Sequence, residues 1–277
     1  MHIWLIALLL IVVVQFILYK KDYSELEKKL EQKEMSLDEA KVGLREVGIL
    51  KSEIVSLAAH QIRSPLVAIE GYVSMIKEGD FGEVDDNMKE AVSSISTSAN
   101  YLMTLVNEFL DISRLEHGQL KFNMINIELS ELVEDVIHKY SDVARDKKLD
   151  LEFIQDKRQR YLIHADRSKT QKIISSVIDN AVKYTINGWV KLELEKLDGK
   201  IRLSIKDTGI GIAREDQGKL FDKFFRTSAG NEVFVRGTGL SLYMAKHLLL
   251  AQGANIWISS GGEGKGSTFV IEFEDKE

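Results

Sequence analysis

The sequence predicts a multi-domain chain: an N-terminal apolar helix, a coiled coil and a helical hairpin, all α, and then a mixed α/β domain. Three observations lead there. Residues 3–19 are apolar almost without a break. Helical periodicity then carries the chain to about Glu116 and stops at His117-Gly118, with the glycine placed as a helix C-cap. Beyond Gly118, short β-rich runs alternate with amphipathic stretches, and glycines fall where loops need them.

Composition narrows the function classes. The 277 residues are 44% hydrophobic and 29% charged, a globular balance with room for two ordinary domains and accessories. A net charge of −6 offers no basic footprint, so no nucleic-acid partner is expected. The absence of cysteine excludes disulfides, thiol nucleophiles and thiolate metal sites. A single proline is consistent with long uninterrupted helices.

The first element, Ile3 to Tyr19, is interrupted only by Gln15. At ~1.5 Å per residue it reaches roughly 26 Å, enough for a bilayer's hydrocarbon core. No basic start or small-residue cleavage site marks it as a signal peptide. Lys20 and Lys21 follow at once, which by the positive-inside rule puts the rest of the chain in the cytoplasm. The expectation for residues 1–21 is a single-pass anchor in the inner membrane, through residues 3–19, with no external sensor domain.

Over residues 22–50 a heptad takes over: Tyr23, Leu26, Leu30, Lys33, Leu37, Ala40, Leu44, Val47, with Glu and Lys between. It reads as a short parallel coiled coil, with a single solvated helix as the alternative. After Leu44 the apolar spacing shifts phase (Val47, Leu50, Ile54, Leu57), which would overwind the coil. Residues 51–118 then form the hairpin. Its first helix breaks at Gly79-Asp80-Phe81-Gly82. Its second runs from near Asp85 to about Glu116, with a stripe of Met88, Val92, Ile95, Leu102, Leu105, Val106, Phe109, Ile112 and Leu115. Two helices cannot bury two such stripes alone, so a homodimeric four-helix bundle is expected.

Residues 119–277 are the α/β part. Strands are expected at 120–127, 149–154, 161–164, 189–197, 201–206, 256–259 and 268–273, with helices from Leu129, over 166–184 and near 240–250.

The first helix of the hairpin carries Ser56-Leu57-Ala58-Ala59-His60-Gln61-Ile62-Arg63-Ser64-Pro65-Leu66. The helical apolar spacing leaves His60 off the stripe, pointing outward, and Pro65 should bend the helix just beyond it. Downstream come five further boxes: Asp179-Asn180-Ala181-Val182-Lys183-Tyr184-Thr185; Asp207-Thr208-Gly209-Ile210-Gly211; Phe221-Asp222-Lys223-Phe224-Phe225-Arg226; Gly237-Thr238-Gly239-Leu240-Ser241-Leu242; and Gly264-Lys265-Gly266-Ser267-Thr268-Phe269. Any one alone could be turn chemistry or packing. In this order, behind a His box, they resemble the histidine protein kinases, whose ATP-binding domain is shared with gyrase-type and chaperone ATPases. The resemblance covers about Lys51 to Phe273.

It implies a dimerisation and phospho-acceptor hairpin followed by an α/β-sandwich ATP-binding domain, with His60 accepting the phosphoryl group and Gln61, Arg63 and Ser64 acting beside it. In the family a hydroxyl or amide at the place of Ser64 positions water for dephosphorylating the partner. For ATP and Mg²⁺ it implies Asn180 as a neutral oxygen ligand to the metal and Lys183 on a phosphate. Asp207 would take the exocyclic amine of adenine, with Gly209 and Gly211 keeping that wall open. Gly237, Thr238, Gly239 and Leu240 would lie at the phosphates, Tyr184 would contact the nucleotide, and Thr268 would close the adenine pocket. Phe221, Phe224, Phe225 and Arg226 would belong to a mobile lid over about Gly211 to Arg236, although a phenylalanine cluster can equally be core. His2, His117, His138, His164 and His247 show no metal-ligand spacing and read as structural or surface residues.

The sequence departs from the family pattern at three places. A second Asn usually stands four residues before Asn180, and here that position is Ser176, which would weaken the metal site. Gln61 stands where an acidic residue usually follows the phospho-acceptor, and Ser241 where a third glycine is common. The expected activity is autophosphorylation of His60 from Mg·ATP and transfer to an aspartate of a separate response regulator in trans, with dephosphorylation of that regulator as a second activity. The rivals are a gyrase- or chaperone-like ATPase without phospho-His chemistry, and a degenerate kinase acting as an ATP-binding scaffold or phosphatase.

Overall fold

The structure, a computed structural model, describes residues 54–234 and 237–276 together with residues 29, 33, 35–37, 43, 47, 48 and 50. The expected anchor over 3–19 and most of the expected coiled coil over 22–50 lie outside these residues. Among the described residues no helix is long and apolar enough to cross a membrane. The chain falls into two compact units, Met1–Leu57 and Ala58–Glu277. In the first, every described residue is helical, and Met35, Leu37, Val47, Leu50, Ile54 and Leu57 are exposed.

The second unit opens with the hairpin. Helix α1 covers residues 58–78 and stays helical through Pro65. It ends in a turn that needs left-handed backbone at Gly79 (φ 87°) and Gly82 (φ 97°). Helix α2, Asp86–Glu116, is capped by Asp85, whose carboxylate accepts from the Met88 N–H at 2.8 Å. It stops where Gly118 turns left-handed at φ 63°. Ala59, Leu66 and Val73 on α1 and Val92 and Ala99 on α2 are buried, a seven-residue spacing that makes the inner seam of the hairpin. Polar clasps cross it: Arg63 Nη2 donates to Asn107 Oδ1 at 2.7 Å, and Asn100 Nδ2 to Glu70 Oε1 at 3.0 Å. His60 is exposed, as its place off the stripe predicts.

The α/β domain follows as β1 (Met124–Glu128), α3 (Leu129–Asp146), β2 (Leu149–Gln155), β3 (Leu162–Asp166), α4 (Arg167–Tyr184), β4 (Gly188–Leu197), β5 (Lys200–Asp207), α5 (Arg214–Gln217), α6 (Ser228–Val233), α7 (Ser241–Leu250), β6 (Asn255–Ser259) and β7 (Ser267–Glu274). β1 and β3 pair antiparallel, and the main sheet runs β2-β4-β5-β7-β6, antiparallel except for β2 beside β4. α3, α4 and α7 bury their apolar stripes on one face of that sheet. Leu132, Val136, Ile174, Val177, Ile178, Leu248 and Leu249 meet Val190, Leu192, Leu203, Ile205 and Ile271 in a single core.

Strand parity now places chemistry. On β5, Ile201, Leu203 and Ile205 point into the core, so Asp207, two residues on, is carried inward as well. Ser267, Phe269, Ile271 and Phe273 are the inward set of β7, and the register puts Ser267 opposite Asp207.

Two expectations need correction. The strand predicted over 120–127 begins only at Met124, because its partner β3 ends at Asp166, opposite Met124. Leu120 and Phe122 instead pack on the core. The short helices α5 and α6, inside the expected lid, were not foreseen.

Candidate functional site

A cavity of about 470 Å³ opens where α4, the end of β5, the loop around α6, the start of α7 and β7 converge, with α2 along one side. Its floor is Asp207, only 5% exposed. Oδ1 accepts from the Gly209 N–H at 2.8 Å and the Ser267 N–H at 3.2 Å, and Oδ2 accepts from the Ser267 hydroxyl at 2.5 Å. Burial pushes this carboxyl above the usual carboxylate range, and the hydrogen bonds from Ser267 and Gly209 pull part of the way back.

The glycines beside Asp207 are there because backbone comes too close for side chains. A Cβ on Gly209 would stand 2.4 Å from the Tyr184 carbonyl oxygen, and Gly211 (φ 67°) would place one 2.1 Å from the Gly262 carbonyl. The Gly264-Lys265-Gly266 turn is sewn onto the same loop by Gly264 N–H to Ile210 O (2.6 Å) and Gly266 N–H to Gly209 O (3.1 Å). Two separate glycine boxes thus build one wall.

The last turns of α4 supply Asn180, Lys183 and Tyr184 to the cavity. Lys183 Nζ pairs with Asp179 Oδ2 at 2.5 Å and lies 4.6 Å from the centre of the Phe234 ring. Gly237, Thr238 and Gly239 also border the cavity, leading into α7. Gly239 (φ 68°) lets this loop pass against the backbone of Phe224 and Phe225, and the Phe224 N–H donates to its carbonyl at 3.0 Å. Arg226 lines the cavity and donates to the carbonyls of Gly230 and Phe234 at the end of α6. Arg236, the expected end of the lid, lies outside the described residues.

The structure thus brings Asn180, Lys183, Tyr184, Asp207, Gly211, Arg226, Gly237, Thr238 and Gly239 to one cavity, with Gly209 behind Asp207. It does not bring four others. Thr268 has the opposite strand parity and lies off the cavity; the residue that closes against Asp207 is Ser267, one position earlier. Phe221 packs on the core under Lys246. The Leu240 side chain is 1% exposed in the core, so only its backbone borders the loop. Ser176, a turn earlier on α4, is half-buried and does not line the cavity. His60, Gln61, Arg63 and Ser64 sit apart on α1, all but the half-buried Arg63 exposed.

Sequence reasoning missed Ser267, Asp179, Phe234 and a stripe of α2: Thr97, Asn100, Tyr101, Thr104 and Glu108 all face the cavity. Their three- and four-residue spacing was visible as a polar helical face, but nothing marked it as more than solvent-facing. Several contacts seat the domain on α2. Lys172 Nζ reaches Asp111 Oδ2 at 2.5 Å, the Ser241 hydroxyl donates to Glu108 Oε1 at 3.0 Å, and the Tyr243 hydroxyl to Glu116 Oε1 at 3.0 Å. Lys223 also pairs with Glu116.

The cavity and the exposed histidine fall within two families. The His Kinase A (phospho-acceptor) domain matches residues 50–118, and the Histidine kinase-, DNA gyrase B-, and HSP90-like ATPase matches residues 165–277. This chain has the domain pair of a histidine kinase. It is 31% identical over 260 residues to the sensor histidine kinase AruS of Pseudomonas aeruginosa, covering 91% of this chain and 26% of that protein. The signal transduction histidine-protein kinase BarA of Escherichia coli is also 31% identical, over 254 residues, covering 89% and 27%. The chain therefore spans about a quarter of the length of these relatives. Among solved structures, full-length ShkA in complex with AMPPNP superposes with a TM-score of 0.68 at 25% identity, over 81% of this chain and 46% of ShkA. The histidine kinase ThkA, solved with its response regulator TrrA, matches at a TM-score of 0.57 and 24% identity over 81% of this chain and 61% of ThkA, a likeness of fold.

Proposed function

We propose that this kinase core transfers the γ-phosphoryl group of ATP to His60 and passes it on to an aspartate of a separate response regulator. The observation that carries the reading is the Asp207–Ser267 floor of the cavity, a buried hydrogen-bond acceptor of the kind that selects adenine's exocyclic amine, in one chain with an exposed histidine in a phospho-acceptor box. AMPPNP, an ATP analogue, is bound by the structurally similar ShkA, in keeping with this.

In the first step an imidazole nitrogen of His60 attacks the γ-phosphorus, the bond to the ADP oxygen breaks, ADP leaves, and the ring's proton passes to solvent. In the second step the phosphoryl group moves from that nitrogen to a carboxylate oxygen of the regulator. Lys183 and the open N–H groups at the start of α7 face the triphosphate, and Gly237 and Gly239 admit it closely. Among the described residues no cluster of three or more His, Asp or Glu could hold a metal unaided. That fits an ion carried in by the triphosphate, with Asn180 adding a neutral oxygen, and Mg²⁺ would there neutralise phosphate charge. Ser64, one turn after His60, is the hydroxyl placed for dephosphorylation of the regulator.

The same reading makes the chain a homodimer anchored in the inner membrane through residues 3–19, with its catalytic region in the cytoplasm. The apolar run and Lys20-Lys21 support the anchor, and the exposed apolar seam of the hairpin supports the dimer. The test is to incubate the chain with γ-labelled ATP. Label that is acid-labile and alkali-stable is expected, and it should vanish in His60→Gln while nucleotide affinity stays the same. Label persisting in that variant would remove His60 as the acceptor.

A further inference from the structure

Glu108 is an acidic side chain in a cavity that, on the reading above, takes a polyanion. It comes from α2, lines the cavity, and reaches the start of α7, where its Oε1 accepts from the Ser241 hydroxyl at 3.0 Å. Its Oε2 is buried and has no hydrogen-bond partner. A buried carboxylate oxygen without a partner is costly, and something must compensate it. Ser241, which holds Oε1, is the first residue of α7, so the carboxylate lies beside the terminus of that helix. Leu240, its N-cap, makes no side-chain cap, so the first N–H groups of the helix have neither intrahelical partners nor a capping oxygen. A negative charge is stabilised at such a terminus.

We infer that Glu108 acts as an internal phosphate mimic: with α2 seated on the domain, its carboxylate holds the phosphate end of the cavity and competes with the triphosphate. Two anions cannot share one helix terminus at little cost, so nucleotide binding and the Glu108–Ser241 clasp oppose each other. Ser241 is the specific donor. A glycine there, the residue the family pattern favours, would leave the carboxylate without its partner. The other seating contacts, Lys172 on Asp111 and Lys223 and Tyr243 on Glu116, hold α2 in place while Glu108 makes the competition. ATP and the seated α2 are therefore alternative occupants of one terminus. The inference rests on the nucleotide reading of the cavity and adds a regulator to it.

The test measures ATP and adenosine affinity of the full chain in lipid nanodiscs. Glu108→Ala should tighten ATP binding by about threefold to tenfold, the range of one net hydrogen bond. It should change adenosine affinity by less than about twofold, because the nucleoside carries no phosphate. Ser241→Ala should tighten ATP binding when Glu108 is present and not when it is absent. Conversely, ATP should raise hydrogen exchange along residues 97–108 of the unsubstituted chain, since the coupling is reciprocal. Unfolding temperatures without nucleotide identify a variant that has lost its fold, and the exchange measurement, made on the native sequence, decides in that case. Unchanged or weaker ATP binding in Glu108→Ala would overturn the inference. Failure of the unsubstituted chain to bind any adenine nucleotide would overturn the reading of the cavity as well.

Discussion

At the residue scale, Asp207 carries the clearest consequence. Burial raises its carboxyl, and on the adenine reading proposed above the exocyclic amine is held more strongly by the ionised oxygen than by the neutral acid. Proton and nucleotide therefore compete for one group, and the proton wins at a higher pH than at an ordinary carboxylate. Nucleotide affinity should fall as pH drops through that raised value, still above the usual carboxylate range near ~4. Asp207→Asn should weaken ADP binding about tenfold or more near neutral pH, as expected when a charge-assisted hydrogen bond to a buried site is lost. The difference between the two proteins should shrink on acidification, because the native residue becomes neutral too. ADP titrations at several pH values check it, and a constant difference would show that Asp207 does not titrate in that window. Gln61 makes a second case. It is exposed beside His60 and can accept a hydrogen bond but not a proton at neutral pH. Gln61→Glu should speed single-turnover phosphorylation of His60 about tenfold, within the range for a positioned base, without changing ATP affinity. Rapid-quench kinetics would show it.

At the element scale, α4 depends on one carboxylate. Asp166, 3% exposed, caps α4 by accepting from the Lys169 N–H at 3.0 Å, pairs with Lys169 Nζ at 2.8 Å, and takes the Asn123 N–H at 2.9 Å. Burial alone would push this carboxyl up, but the Lys169 ammonium and the backbone donors outweigh it and hold it well below the usual range. Because the folded value is depressed, its contribution is complete above the unfolded value near ~3.9 and is lost as pH falls through the folded one. Asp166→Ala should cost about 1–3 kcal/mol at neutral pH, from the lost cap and the orphaned partners, or roughly 2–4 °C per kcal/mol in a domain this size. Calorimetry measures it, and the deficit should close towards strongly acidic pH.

That cap also shows what was legible in the sequence. Long periodic elements were: α2 was expected from near Asp85 to about Glu116 because its apolar stripe and its terminal glycine agree, and the structure adds the Asp85 cap to these local signals. α5 and α6 were not, being four and six residues long and set by their loop rather than by periodicity. The site was readable as boxes and not as registers. Thr268 stood in for Ser267 because only the pairing of β7 with β5 says which of two adjacent hydroxyls faces Asp207, and a one-residue slip turns every side chain to the other face. Glu108 could not be found from the boxes at all, since its role comes from α2 lying against the α/β domain and meeting Ser241, 133 residues further along the chain.

At the scale of the whole molecule, the hairpin leaves a second seam open. Ile62 and Ile69 on α1 and Met88, Ile95, Leu102 and Phe109 on α2 are 40–51% exposed, and on each helix they recur every seventh residue. The buried seam inside the hairpin has the same spacing, so each helix carries two apolar stripes and a single chain satisfies only one. On the homodimer proposed above, a second copy would cover the other, its identical stripe giving a self-complementary two-fold contact and a four-helix bundle. Completing the burial of six half-exposed side chains on each of two copies offers about 12 kcal/mol, taking roughly 1 kcal/mol for half of each residue's transfer value. Association itself costs about 4–15 kcal/mol, so the margin at this seam is narrow. A charge placed at its centre should then be decisive, because symmetry introduces it twice. Leu102→Glu is expected to weaken dimerisation of the detergent-solubilised chain at least about tenfold, since burying an unpaired carboxylate costs several kcal/mol. Val143→Glu, at an exposed position of α3 outside the seam, should leave it unchanged. Sedimentation equilibrium across a concentration series reads both. A Leu102→Glu chain that stays dimeric with native affinity would mean that the copies meet elsewhere, and that something other than a second hairpin covers this stripe.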